Sequence, residues 1–289
     1  MPDLRVAVNK TYKLYIGGAF PRSESGRSYI VNAADGSFLA NVAWGSRKDV
    51  RDAVVAARGA LAGWSGATAY LRGQVIYRIG EMLEDRRTQF VSAVRESEGA
   101  DKDTARAIVG AAIDRVVWYA GWSDKVAQIA GSSNPVAGPY FDFSVPEPTG
   151  VVGILAPQES SFLGLVSVLA PVITTGNTTV VVASDARPLP AVTLAEVLAT
   201  SDLPGGVVNI LTGHVAELAP VIAQHRDVDA LDLAGAPADL ATEFERQAAT
   251  NVKRVLGPPN GETDWLAPPT PRRMLSFIET KTVWHPIGV

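Results

Sequence analysis

The stretch that decides the fold is residues 148–185, PTGVVGILAPQESSFLGLVSVLAPVITTGNTTVVVASD. Its runs VVGIL and TTVVV are short and rich in β-branched residues, which is typical of strands buried on both faces. Between them lies a longer apolar segment that ends in a Gly-Asn turn, as a helix connecting two parallel strands does. This order of strand, loop, helix, turn and strand predicts half of a doubly wound, Rossmann-like sheet.

The same alternation continues toward the C-terminus. Strands are predicted at residues 207–211 and 230–233, and helices near residues 194–198 and 218–224. Three successive βα units predict a parallel sheet with helices on both faces. The predicted fold class is therefore α/β, with Rossmann-like βα units over residues 151–257.

The N-terminal side, residues 1–139, predicts β segments followed by long helices. Short β-type runs alternate with turn residues over residues 12–42. Ser46 followed by Asp49 indicates a helix N-cap, and two more long helices are predicted over residues 71–94 and 102–129. We expect these helices to belong to the same nucleotide-binding-like domain.

Two further segments alternate with period two. In residues 140–150 Phe141, Phe143 and Val145 share one face of a predicted strand, and in residues 274–289 Ile278 and Trp284 do the same. Between the predicted sheet and this last strand, residues 258–271 contain five prolines. The prolines predict an extended linker over residues 258–273.

Composition excludes several classes of function. The chain has 289 residues, 47% of them hydrophobic and 19% charged, and a net charge of −4 with dispersed cations. Nucleic-acid binding therefore has no electrostatic support. The longest apolar run, residues 162–173, is well short of the roughly 20 residues that cross a bilayer. The N-terminus has no apolar core of a signal peptide, so we expect a cytoplasmic protein without membrane contact.

The chain contains no cysteine. This excludes disulfides, thiolate metal sites and every mechanism with a cysteine nucleophile. The histidines, His214, His225 and His285, are far apart and have no ligand spacing, so no metal site is predicted.

Nine motifs, in order along the chain, resemble the aldehyde dehydrogenase superfamily. They are LYIGGAF, DVRDAVVAARGAL, WYAGWSDK, YFDFSVPEPTGVVGILAP, APVITTGNTTVVV, LPGGVVNIL, HRDVDAL, NVKRV and ETKTVW. With its C-terminal segment and its lack of cysteine, the chain is most similar to the degenerate second dehydrogenase-like domain of the family-16 members. The resemblance implies the Rossmann-like fold of the family and, in intact members, oxidation of aldehydes with NAD(P).

The chain departs from the family where the chemistry takes place. The family's Pro-Trp-Asn-(Phe/Tyr)-Pro loop holds an oxyanion with its Asn, but Glu159 stands at that position here and would repel negative charge. The family's general base, its nucleophile and its catalytic domain would fall between Leu256 and Met274, where this chain has the proline-rich segment. The resemblance therefore implies no catalytic residue.

The cofactor turns are also altered. The family's Lys-Pro-(Ala/Ser)-Glu turn is Val182-Ala183-Ser184-Asp185 here, and its Gly-Ser-Thr-x-x-Gly turn begins at Gly235 but places Leu240 at the last Gly. The resemblance leaves Ser184, Asp185 and Gly235 as residual cofactor residues of a vestigial NAD(P) site, with no cofactor required. Asp185 is compatible with ribose binding and with helix capping.

The resemblance also implies an oligomerisation arm. In the family, segments that match residues 140–152 and 276–284 form a small sheet that docks on the catalytic domain of a neighbouring subunit. The expected partner is a full-length aldehyde dehydrogenase or a second copy of this chain. The other arrangement left open is an arm that folds back on the chain's own helices.

Three functions follow from these observations. The leading hypothesis is a non-catalytic pseudoenzyme subunit that assembles with a full-length NAD(P)-dependent aldehyde dehydrogenase. The alternatives are an oxidoreductase of the same family that acts on aldehydes through unrecognised chemistry, and a nucleotide-binding module without catalysis.

We predict that the isolated chain oxidises no simple aliphatic or aromatic aldehyde with NAD or NADP, because hydride transfer lacks its thiol-bound precursor. The measurement is the absorbance of reduced cofactor against a control without protein. A steady increase above that control, reproduced in separate preparations, would contradict the prediction.

Overall fold

The structure is a computed structural model that describes residues 10–288, and it begins with a three-stranded sheet. The strands β1 (Thr11–Tyr12), β2 (Ser28–Asn32) and β3 (Phe38–Ala43) lie in the order β1-β3-β2. β1 runs parallel to β3, and β2 runs antiparallel to it. The backbone of Tyr15 exchanges hydrogen bonds of 2.9 and 2.7 Å with Ile210, which joins this region to the edge of the central sheet.

The predicted N-cap of the first helix is confirmed. Helix α1 (Arg47–Gly66) begins after Ser46, whose hydroxyl accepts the N–H of Asp49 while the Asp49 carboxylate accepts the N–H of Ser46. This reciprocal pair satisfies two N–H groups that a helix start leaves free. The apolar positions of α1 then face inward, and Trp64 donates its indole N–H to the carbonyl of Ile173 over 2.9 Å.

The structure divides each of the other two predicted N-terminal helices. The helix predicted over residues 71–94 is two helices, α2 (Ala69–Asp85) and α3 (Arg87–Glu98). The helix predicted over residues 102–129 is also two, α4 (Lys102–Ala120) and α5 (Val126–Ala130). The break at Arg86, which has no proline or glycine signal, allows Phe90 to stack on Phe162 with ring centroids 4.5 Å apart. Tertiary packing therefore overrides the continuous pattern.

The central sheet is parallel and has five strands. It follows β4 (Ser132–Asn134) and β5 (Tyr140–Pro148), and its elements are β6 (Val151–Leu155), α6 (Leu163–Thr174), β7 (Thr178–Val182), α7 (Leu189–Leu198), β8 (Val208–Leu211), α8 (Val215–Gln224), β9 (Ala230–Asp232), α9 (Ala238–Ala248) and β10 (Arg254–Leu256). The strand order is β10-β9-β6-β7-β8, with every pair parallel. This confirms the α/β, Rossmann-like fold class and adds α9 and β10, which were not predicted.

The core lies on both faces of this sheet. Every residue of β6, β7 and α6 is buried. One apolar cluster packs α2, α3, α4, α6 and α7 against one face, and a second packs α1, α8 and α9 against the other. Each fully buried valine or leucine contributes roughly 1.5–3 kcal/mol to folding. No helix within residues 10–288 is both long and apolar enough to span a membrane.

The last strand forms a separate sheet with β5. After helix α10 (Arg272–Leu275), β11 (Ile278–Pro286) pairs antiparallel with β5, and the strand order is β11-β5-β4. The predicted pairing of the two segments is confirmed, although the strands end differently. Val151 and Val152 belong to β6 of the central sheet, and Phe277 is fully buried before β11 begins. We call the sheet of β4, β5 and β11 the arm.

Residues 258–271, which we call the strap, contain no helix or strand, as their prolines indicate. The strap is nevertheless fastened to the helices beneath it. Arg115 donates to the carbonyl of Ala267 over 2.6 Å, and Tyr119 donates to the carbonyl of Thr270 over 3.2 Å. Trp265 packs against the larger apolar cluster. The predicted linker, residues 258–273, is therefore docked on the helices, and its last two residues belong to α10 instead.

We predict that Val252→Gly stabilises the protein. Val252 has φ 59° after helix α9, and its side chain is 91% exposed. Relief of this left-handed conformation outweighs the added entropy of glycine by about 0.5–1 kcal/mol.

The matched control is Val55→Gly. Val55 is also exposed but lies within α1, so glycine there lowers the free energy of unfolding by about 0.5 kcal/mol. Urea denaturation measures both variants, and a Val252→Gly protein less stable than wild type would refute the strain argument.

Candidate functional site

Ligands of open parallel sheets bind beyond the carboxyl ends of the strands. In this chain β9, β6 and β7 are neighbours, so the loops that follow them lie side by side. Ser184 and Asp185 follow β7, and Gly235 follows β9. The topology therefore brings the three predicted cofactor residues to one edge, which we call the cofactor edge.

Ser184 is engaged by the chain itself. Its hydroxyl donates to the carbonyl of Gln158 over 2.8 Å and accepts the N–H of Arg187 over 3.2 Å. The Gln158 side chain accepts the N–H of Asp185 over 2.9 Å and donates to the carbonyl of Ala156 over 2.7 Å. The loops after β6 and β7 are therefore tied together through the polar groups that would otherwise face a ligand.

Asp185 caps a neighbouring helix. One carboxylate oxygen accepts the N–H of Val215, the first residue of α8, over 2.9 Å, and the other lies 3.4 Å from Nδ1 of His214. Burial raises the pKa of Asp185, and the bonds from Val215 and His214 oppose that shift. Tyr29 covers the same residue by donating to its carbonyl over 3.2 Å. In this structure Asp185 serves α8, not the helix that follows it in sequence.

Gly235 is required by contact between two loops. A Cβ at this position would overlap the carbonyl oxygen of Ala156. The N–H of Gly235 donates to the carbonyl of Leu155 over 2.8 Å. The absence of a side chain therefore permits the loop after β9 to pack on the loop after β6, with no ligand needed to explain it.

Glu159 lies at the surface of the cofactor edge. Its side chain is 85% exposed and forms an ion pair of 2.5 Å with Arg187. Arg187 also donates to the Glu159 carbonyl over 2.7 Å. A general base needs a partner that accepts or delivers a proton, and here the Glu159 carboxylate is paired with the guanidinium of Arg187 instead.

Sequence reasoning missed one charged group at this edge. Asp232, the last residue of β9, is fully buried, and Arg273 of α10 forms an ion pair with it. Burial raises the pKa of the Asp232 carboxyl, and the charge of Arg273 opposes that effect. The sequence signal for Asp232 was an acidic residue at the end of a short apolar strand. Its partner, Arg273, is distant in sequence and cannot be identified from that pattern.

A sequence model of the aldehyde dehydrogenase family matches residues 20–261. The chain belongs to this family. Its curated relatives include "Aldehyde dehydrogenase, cytosolic 1" of Elephantulus edwardii, 32% identical over 88% of this chain and 52% of the relative. "Cytosolic 10-formyltetrahydrofolate dehydrogenase" of Pongo abelii is 31% identical over 87% of this chain and 29% of the relative.

Solved structures share the fold of this chain. An NAD+ complex of aldehyde dehydrogenase from Bacillus cereus has a TM-score of 0.81 at 26% identity, covering 85% of this chain and 50% of that one. The structure of HpcC from Thermus thermophilus has a TM-score of 0.81 at 28% identity, covering 85% and 47%. The chain thus spans about half the length of the aldehyde dehydrogenases that it matches.

We predict that Asp185 acts on stability and not on cofactor affinity. Asp185→Ala removes the bond to Val215 and lowers the free energy of unfolding by about 1 kcal/mol, whereas Asp185→Asn, which also caps helices, changes it by less than about 0.5 kcal/mol. Urea denaturation measures the first effect.

Calorimetric titration with NAD measures the cofactor affinity of the wild type and of both variants. We expect weak or absent binding for the wild type and no change in either variant, since the Lys position of the family turn is Val182. Low-micromolar affinity that Asp185→Ala abolishes would assign Asp185 to a working ribose site.

Proposed function

We propose that this chain is a non-catalytic subunit of the aldehyde dehydrogenase family that assembles with a full-length NAD(P)-dependent aldehyde dehydrogenase. In this proposal the chain acts in the cytoplasm, requires no bound cofactor and stabilises or regulates its partner. It contributes surface to the assembly and no reacting group.

The residues at the cofactor edge support the proposal that the chain is non-catalytic. The 289 residues include no thiol, and Glu159, at the position of the family's oxyanion-binding Asn, carries negative charge. The polar groups of Ser184 and Gln158 bond to each other's loops. Chemistry on an aldehyde would need donors aimed at a developing oxyanion, and these groups are committed elsewhere.

The proposal that the chain assembles with a dehydrogenase rests on the two faces of the arm. On β5 the polar residues point to the protected side and the aromatic ones to solvent: Asp142 is 4% exposed and Phe141 is 50% exposed. Asn134 donates to Asp142 and to Ser144, each over 3.0 Å, which satisfies the protected side. The face of Phe141 therefore leaves apolar side chains partly exposed in the described residues, as Tyr140 and Trp284 do at one end of the face of Asp142.

The face of Phe141 extends across the two longer strands and is apolar near residues 141–143, whereas Lys281 stands opposite Val145. Val283 of β11 stands directly opposite Phe143, and His285 opposite Phe141, so their side chains share a face. The predicted apolar residues Ile278 and Trp284 stand opposite Pro148 and Asp142 instead, so they lie on the other face. Phe141 and Phe143 lie with ring centroids 5.5 Å apart. We call the face of Phe141, Phe143, Val145 and Val283 the arm face. Its aromatic content fits the core of a protein interface.

The edge of the arm supports pairing with another sheet. β11 has nine residues and is an edge strand in the order β11-β5-β4. Edge strands present unpaired backbone groups that a strand of a partner can complete. A full-length family member offers the catalytic domain on which such an arm docks, whereas a second copy of this chain is the alternative partner.

One observation favours a second candidate function. Solved structures that this chain matches include NAD+ complexes of aldehyde dehydrogenases. A nucleotide-binding module without catalysis therefore remains the alternative, and an oxidoreductase with unrecognised chemistry is favoured by no group at the cofactor edge.

We predict that the arm face is required for the complex. Phe141→Glu combined with Val283→Glu is expected to abolish co-purification with a full-length aldehyde dehydrogenase from the same source, because it places two charges in an apolar contact. Co-expression followed by size-exclusion chromatography with light scattering measures the complex.

The matched control is Tyr77→Glu with Val117→Glu, two exposed apolar residues on α2 and α4, which should leave the complex intact. Truncation after Phe277 removes β11 but keeps the buried Met274 and Phe277, so the body should stay folded and unbound. A wild-type monomer that ignores every co-expressed dehydrogenase would refute the proposal, and a self-assembled oligomer would favour the second-copy alternative.

A further inference from the structure

The carboxylate of Asp232 needs a counter-charge inside the protein. Its side chain is fully buried at the end of β9, where it also accepts the N–H of Ala234 over 3.1 Å. Arg273 donates to the other carboxylate oxygen and is itself partly exposed. A buried charge is strongly unfavourable without a partner, so the structure with Arg273 in place is favoured over structures in which it leaves.

Arg273 occupies a particular place in the chain. It lies in α10, a helix of four residues between the strap and β11. The residue after it, Met274, is fully buried beside Tyr119 and Ala170, and Phe277 is fully buried in the larger cluster. The ion pair therefore lies between the contacts of the strap and two buried anchors, Met274 and Phe277, that follow within four residues.

The register of the arm begins at this segment. The carbonyl of Phe277 accepts the side-chain amide of Asn177 over 2.8 Å and the N–H of Thr149 over 3.3 Å, and β11 starts at the next residue. From there Ile278 pairs with Pro148, and the register continues without a shift to the far end of β11. A displacement of one residue would turn every side chain of β11 to the opposite face.

A second contact depends on the same register. Glu279 accepts two hydrogen bonds from Arg254 of β10, of 2.9 and 2.7 Å. Such a paired contact demands one orientation of the two side chains. The two side chains of this contact are 41% and 49% exposed, so the ion pair is weak. It forms when β11 is in this register but does not fix the register.

We propose that the Arg273–Asp232 ion pair is a latch that docks the end of the strap on β9 and thereby fixes the position and register of β11 in the arm. The latch couples the carboxyl end of β9, at the cofactor edge, to β11 of the arm. It concerns the fold of the single chain and holds whether or not the arm binds a dehydrogenase.

Hydrogen–deuterium exchange of the full chain tests the latch through two reporter strands. In Arg273→Gln the amides of β11 should lose protection by at least about tenfold, while those of β7 change by less than about twofold, because an unpaired buried carboxylate drives the segment out of its site. The control, Arg58→Gln, breaks the partly exposed ion pair with Asp229 and should leave β11 unchanged.

If Arg273→Gln yields no folded protein, Asp232→Asn replaces it, since a neutral amide of the same shape leaves no buried charge. A folded Asp232→Asn protein should show a smaller loss that is again selective for β11, because a neutral acceptor holds Arg273 less strongly than a carboxylate does. Unchanged protection at β11, or an equal loss at β11 and β7, would overturn the proposal.

Discussion

The side chain of Asn177 joins three parts of the molecule that are distant in sequence. This fully buried amide accepts the N–H of Gly150 over 2.7 Å and donates to Thr175 and to the carbonyl of Phe277, each over 2.8 Å. It thus connects the beginning of β6, the end of α6 and the segment before β11. Because buried polar groups must be paired, the central sheet and the base of the arm are stable only together.

At the opposite edge of the sheet, the polar groups are also paired with other groups of the chain. There Gln158, Ser184 and Asp185 satisfy one another and the start of α8, so the loops hold their shape without a bound molecule. In a protein that binds a dinucleotide at this edge, equivalent groups have to remain free for the ligand. The family fold has been retained here while the polar groups at its cofactor edge stabilise the fold itself.

The arm shows the reverse arrangement, with polar residues protected and aromatic residues exposed. Asp142 and Ser144 are inside, and Phe141 and Trp284 are half exposed or more. Exposed apolar area of this kind is unfavourable for an isolated soluble chain, and burial in an assembly would recover roughly 25 cal/mol per Å². In the described residues, exposed aromatic area thus lies in the arm, whereas the polar groups of the cofactor edge are paired with one another.

Local patterns were sufficient for the elements whose signals lie within a few residues. The period of the apolar residues located β6, β7, α6 and the alternating strand β5, and Ser46 with Asp49 located the start of α1. Two elements were not predicted, because β10 has only three residues and α9 has few apolar positions in its eleven residues. The break at Arg86 was not predicted either, because it goes with the contact of Phe90 with Phe162, which is distant in sequence.

For the site, the sequence by itself determined which groups are absent: no thiol, no lysine after β7 and no asparagine after β6. It also determined that Ser184, Asp185 and Gly235 follow neighbouring strands. Only the tertiary structure decided what these residues contact, that the strap is docked and that Arg273 neutralises Asp232. The physical reason is that strand periodicity is a local property of the chain, whereas hydrogen-bond partners and buried charge pairs depend on distances between segments that the fold alone brings together.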